Sequence, residues 1–109
     1  MKTNQEIALH VFAQIISIEE PPDKIVLTEY MCEAQHFEVE QEADTLFLDK
    51  REINLYLARL LETEKIETIF VAIIPEEFAD WREENQLPNT RDTRAQYAHE
   101  IAEIETFDL

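Results

Sequence analysis

There is no glycine anywhere in the 109 residues. Loops that bring backbone against a phosphate at positive φ therefore have no residue suited to them, which excludes a P-loop or a dinucleotide fingerprint. There is one cysteine, Cys32, so no internal disulfide can form and nothing in the chain depends on an oxidising compartment. Serine is limited to Ser17, inside an apolar stretch, which leaves nucleophilic catalysis few starting points. Positive charge is scarce: nine Lys and Arg stand against 25 Asp and Glu, a formal net charge of -16. Phosphate surfaces repel such a chain, so direct nucleic-acid binding is not expected. Long hydrophobic runs are missing too. The most apolar stretch, residues 7–18, is preceded by Glu6, interrupted by His10 and Gln14, and followed by Glu19, Glu20, Pro21 and Pro22. It is too short for a membrane span and lacks the flanks of a cleaved signal, so a cytoplasmic protein without a membrane segment is expected.

What is present suits one small folded domain over residues 1–109, since 45% of the residues are hydrophobic and 31% charged. Thr3 and Glu6 have capping-box spacing ahead of Ile7, Ala8, Val11, Phe12, Ile15, Ile16 and Ile18, which predicts a helix over 4–18. Three short strands are expected next: Ile25, Val26, Leu27 and Thr28; then His36, Phe37, Glu38, Val39 and Glu40, which alternate with period two; then Thr45, Leu46, Phe47 and Leu48. Asp49 and Glu52 can cap a helix carrying Ile53, Tyr56, Leu57, Leu60 and Leu61 on one face. Residues 66–74 read as a central strand covered on both sides, because their β-branched run is nearly continuous. Pro75 opens a helix to about Asn85, with Glu76 and Glu77 at its positive end and Phe78 and Trp81 inward. Thr90 or Asp92 can cap a last helix to about Ile104 with Ala95, Ala98, Ile101 and Ala102 inward. The expected fold is α+β, a mixed or antiparallel sheet of about four strands under packed helices, in the order α-β-β-β-α-β-α-α.

Chemistry-bearing groups are sparse. Cys32 and His36 are four apart and share a side on either a helix or a strand, so a dyad is geometrically open. The plainer reading is a small buried cysteine and a histidine at a strand edge. A zinc site would need His10 or His99 in addition, and no spacing demands it; no metal, cofactor or catalytic residue is expected. Trp81 and Tyr97 read as core aromatics.

The distribution of acids carries more information. Between Lys24 and Lys50 lie Glu29, Glu33, Glu38, Glu40, Glu42, Asp44 and Asp49 with no Lys or Arg. On a strand, Glu38, Glu40 and Glu42 would stand on one side at intervals of roughly 6.6 to 6.8 Å. Such a row is too sparse to match a nucleic-acid backbone by itself, and Glu76, Asp80 and Glu83, with Glu77 and Glu84 beside them, can form a second on a helix. For any one of these runs taken singly, a solvated face or an edge protected against pairing is the plainer reading. Taken together, the imbalance of sign goes beyond an ordinary surface, where both charges are interspersed. Two expectations follow. One is an acidic, non-enzymatic binding protein that occupies the basic groove of a nucleic-acid-binding protein or enzyme and inhibits it, as a nucleic-acid mimic, immunity, antitoxin or anti-defence protein would. Its contacts would be Glu29, Glu33, Glu38, Glu40, Glu42, Asp44, Glu76, Glu77, Asp80, Glu83 and Glu84. The other is a small structural or regulatory subunit, or a homodimer, that associates through apolar surface and is acidic only for solubility.

Overall fold

Thr3 begins the first helix as its spacing predicts: its hydroxyl accepts from the Glu6 amide at 3.1 Å, and α1 runs Asn4–Ile16. A computed structural model describes residues 2–41 and 46–107, with side chains to residue 103. The helix stops at Ser17, two residues before the acidic and proline-rich break, so Ile18 lies beyond it and is exposed. The chain then forms β1 (Lys24–Glu29), α2 (Glu33–Val39), α3 (Phe47–Thr63), β2 (Glu67–Ala72), α4 (Pro75–Asn85) and α5 (Arg91–Phe107).

The expected mixed or antiparallel sheet of about four strands is not formed. Among the described residues the sheet has two strands, β1 and β2, and they are parallel, with Lys24 opposite Glu67 and Glu29 opposite Ala72. A parallel pair requires a long crossover, and α2 and α3 provide it; a hairpin could not. The segment read as a second strand is helix α2. Its period-two alternation spans only five residues, and burial follows a helical spacing instead, with His36 and Val39 inward and Phe37 and Glu38 outward. The third expected strand is also lost, because Phe47 and Leu48 open α3; Thr45 lies outside the described residues. The stretch 66–74 does contain a strand, β2 over Glu67–Ala72, but with only one neighbour among the described residues it is not a central one. The observed order is therefore α-β-α-α-β-α-α.

The cap of α3 is also displaced. Leu46 occupies the N-cap position and its carbonyl accepts from Lys50, while Asp49 sits in the first turn. The Asp49 carboxylate serves another end, accepting from Asn4 Nδ2 at 3.0 Å and tying α1 to α3. Two helices end without the glycine that usually permits a left-handed turn: Lys65 after α3 has φ 59° and Gln86 after α4 has φ 54°. Both turns carry the paired backbone bonds of a Schellman ending, Ile66 to Leu61 with Lys65 to Glu62, and Leu87 to Arg82 with Gln86 to Glu83.

Helices cover both faces of the sheet. On one, Ile25 and Leu27 meet Ala8, Phe12, Leu57, Leu61 and Ile66 from α1, α3 and the turn after α3. On the other, Val26, Ile69 and Val71 meet Ala98 and Ala102 of α5. Buried positions on α5 recur as Thr93 and Arg94, Tyr97 and Ala98, then Ala102; Ala95, expected inward, is exposed. At the C-terminal end of the strands, Tyr30, Val39, Ile73, Phe78 and Tyr97 form a third core cluster that joins α2, α4 and α5.

Candidate functional site

Helix α4 has two opposed faces. Phe78 is buried, stacked on Trp81 with centroids 6.2 Å apart and tilted against Tyr97 at 5.2 Å. Trp81 Nε1 also donates to Glu100 Oε2 at 2.6 Å, which fixes the helix against α5. The other face carries Glu76, Glu77, Asp80, Glu83 and Glu84, all exposed. Glu76, Asp80 and Glu83 fall within one narrow arc of the helix, and none of the five carboxylates forms an ion pair among the described residues. The one cation on α4, Arg82, lies over the Phe78 ring at 5.1 Å, and its Nε is buried without a hydrogen-bond partner among the described residues. Arg82 thus packs inward and does not neutralise the outer face. Tyr97 beneath has its phenol pKa raised, first by burial and then by the nearby Glu77 charge.

The acids of the first half separate. Glu29 ends β1 and is exposed, and Glu33 and Glu38 are exposed on α2, which packs beside α4. Glu42 and Asp44 lie outside the described residues. With α2 helical, Glu38 and Glu40 diverge, so the regular row expected of a strand does not exist. Glu40 closes α2 and turns inward. Tyr30 Oη donates to its Oε2 at 2.5 Å, Lys50 Nζ lies 3.7 Å from the same oxygen, and His36 Nε2 is 4.0 Å from Oε1. The glutamate side chain is 12% exposed.

Other segments converge near that carboxylate: Tyr30 follows β1, Lys50 is in the first turn of α3, and Arg94, in the first turn of α5, acts on Lys50. The Lys50 ammonium is held below the ordinary lysine range chiefly by burial; Glu40 opposes the shift, and Arg94 and Arg91 add to it. Arg94 is buried, and its Nη1 donates to Asn89 Oδ1 at 2.9 Å, while Asn89 Nδ2 donates to the Val39 carbonyl at 2.7 Å. Basic side chains are thereby drawn into the interior of an acidic protein. This cluster was not legible in the sequence, because its members come from four separate elements.

Cys32 and His36 exchange the roles expected of them. Cys32 is exposed at the N-cap position of α2, whereas His36 is buried between Tyr30, with centroids 5.1 Å apart, and Phe47 at 6.2 Å. Among the described residues His36 Nε2 has no hydrogen-bond partner, and no hydrogen bond links it to Cys32. Among the described residues no group of three or more His, Cys, Asp and Glu is placed to hold a metal ion, and no helix is long and apolar enough to cross a membrane.

A cleft of about 230 Å³ opens at the C-terminal end of β1, between Glu29, Tyr30, Met31, Phe47, Lys50, Arg51 and Asn54. A second, of about 240 Å³, shares Glu29, Arg51 and Asn54 and adds Leu55 and Phe70. Both are open and of mixed polarity. Comparison with protein-family models and with curated proteins finds no match for this chain.

Proposed function

We propose that this is an acidic binding protein, not a catalyst, that acts in the cytoplasm by occupying a basic groove on a nucleic-acid-binding protein or enzyme. The observation that carries the reading is the outer face of α4, where five exposed carboxylates stand without a cationic partner among the described residues. Placement of the bases supports it. Lys50 and Arg94 are turned inward and Arg82 rests on Phe78, so the surface is more negative than an even spread of the nine cations would make it. Like charges at i, i+4, such as Glu76 with Asp80 and Asp80 with Glu84, cost helix stability. Their field steers a basic partner and raises its association rate. Glu33 and Glu38, exposed on α2, which packs beside α4, add to the negative field; Glu40 does not, since its carboxylate is engaged by Tyr30 and Lys50.

Affinity capture from lysate at low and high salt tests this proposal. A basic nucleic-acid-binding protein retained at low salt, released by salt and competed by DNA or RNA is the expected result. Capture that is indifferent to ionic strength, or unchanged when Glu76, Asp80 and Glu83 are all replaced by Lys, would refute it. A second reading, association through apolar surface, is favoured by Met31, Phe37, Leu46 and Leu48, each about 70% exposed. Salt-resistant capture of a neutral partner is its signature.

A further inference from the structure

The two clefts at the C-terminal end of β1 share one wall. Glu29, the last residue of β1, and Arg51 and Asn54, from the first two turns of α3, line both. Crevices beyond the carboxyl ends of parallel strands are common ligand sites, because successive segments leave the sheet there in different directions. Glu29 and Arg51 are exposed, and among the described residues neither side chain has an ion pair or a hydrogen bond. Opposite charges therefore stand on the walls of one recess without meeting. Asn54 adds a third polar group and is itself only 8% exposed. Its Nδ2 donates to the Thr28 carbonyl, which can only accept, so Oδ1 is the amide atom left over. That oxygen takes no hydrogen bond among the described residues and is not sealed from solvent.

Cations gather at the same place. Lys50 lines the first cleft beside Arg51, and Arg91 and Arg94 act on Lys50 from the first turn of α5. Four of the nine Lys and Arg residues thus serve one locality in a chain of net charge -16. Three of them, Lys50, Arg91 and Arg94, stand in the first turn of a helix, where the dipole already disfavours a cation. Glu40 compensates Lys50 at 3.7 Å, whereas Arg51 has no such carboxylate. The rest of the lining is apolar: Met31 and Phe47 in one cleft, Leu55 and Phe70 in the other.

We propose that this recess binds a free α-amino acid with an apolar side chain, its carboxylate held by Arg51 and Lys50, its ammonium by Glu29 and Asn54 Oδ1, and its side chain over Leu55 and Phe70. Both signs of charge are needed at once. A simple anion is repelled by Glu29 and a simple cation by Lys50 and Arg51, while a zwitterion satisfies both walls. The guanidinium offers paired N–H donors that match a carboxylate, and charge-assisted bonds of this kind are the stronger ones. Size agrees with the chemistry. At about 230 and 240 Å³ each cleft is smaller than the roughly 300 to 1,000 Å³ of sites for drug-sized molecules. The acidic face of α4 takes no part, so this inference goes beyond the role proposed above and is tested separately from it.

Calorimetric titration of the full chain with L-leucine, L-phenylalanine, N-acetyl-L-leucine, L-leucinamide and acetate tests the site, and amide chemical shifts locate the ligand. Leucine and phenylalanine should bind with dissociation constants at or below about 1 mM. Acetylation, which removes the ammonium, and amidation, which removes the carboxylate, should each weaken binding by roughly tenfold or more. Shifts should concentrate at Glu29, Met31, Arg51, Asn54 and Phe70. Arg51→Gln should erase the preference for leucine over leucinamide, and Glu29→Gln the preference over N-acetyl-leucine. Neither substitution removes a contact of the fold, since both side chains are exposed and unpaired among the described residues. Absence of binding at about 10 mM leucine and phenylalanine overturns the proposal. Equal affinity for the three leucine compounds also overturns it, as do acetate binding as tightly as leucine, shifts centred elsewhere, or affinity unchanged in both variants. Salt-sensitive capture of a basic protein would survive each of these failures, because it depends on α4.

Discussion

The Tyr30 hydroxyl and the Glu40 carboxylate are joined at 2.5 Å, and this contact is what turns a residue of an acidic run into the interior. Glu40 has the same chemistry as Glu38, yet Glu38 is exposed at the surface while Glu40 faces the half-buried Lys50. A negative charge at that point compensates a group whose desolvation would otherwise be unfavourable.

Replacing Glu40 with Gln should therefore destabilise the protein by about 2 to 3 kcal/mol, because Lys50 would remain half-buried beside Arg94 and Arg91 without its counter-charge. Glu38→Gln should change stability by no more than about 0.5 kcal/mol. Urea denaturation of the two variants side by side checks the contrast.

Alkaline titration should show two opposing contributions. Lys50 loses its proton more readily folded than unfolded, so between its folded pKa and 10.5 the unfolded chain binds more protons and stability rises with pH. Tyr97 has the reverse sign: its phenol is raised when folded, so above 10.0 the folded chain holds the extra proton and stability falls as pH climbs. Lys50→Met should remove the rise and Tyr97→Phe should soften the fall, as read from denaturation midpoints across pH 8 to about 11.

Asn54 is buried on α3 and donates to the Thr28 carbonyl on β1. Asn54→Ala should cost about 1 to 2 kcal/mol by leaving that carbonyl unpaired, and Asn54→Asp should cost more, since it sets an acceptor against an acceptor. Equal losses in the two variants would show that the hydrogen bond is not what matters at this position.

Lys65 holds φ 59° at the end of α3. Lys65→Gly should stabilise the fold by about 1 kcal/mol, because glycine adopts the left-handed turn without the Cβ clash. Glycine at exposed Glu62, inside the same helix, should cost a similar amount, and thermal melts of the two variants report the difference in sign.

Asp80 lies between Glu76 and Glu84 on α4, one helical turn from each. Asp80→Lys should raise stability by about 0.5 kcal/mol at low salt and by less at high salt, while weakening capture of a basic partner. A stability gain coupled to a binding loss is what a surface kept acidic for its partner would show.

The sequence alone determined those elements whose evidence is local. Capping at Thr3, the stripe from Ile53 to Leu61, the β-branched run at 66–74, the proline start of α4 and the cap at Thr90 rest on neighbours within a turn or two, and each is found in the structure. Tertiary structure decided what those neighbours cannot report. Residues 36–40 alternate like a strand, yet His36 and Val39 are drawn to one side by Tyr30, Phe47 and Phe78 from other elements, and the segment becomes helix. Whether a carboxylate faces water or a lysine likewise depends on which distant chains arrive beside it, so Glu40 could be told from Glu38 only after Tyr30, Lys50 and Arg94 had been brought together.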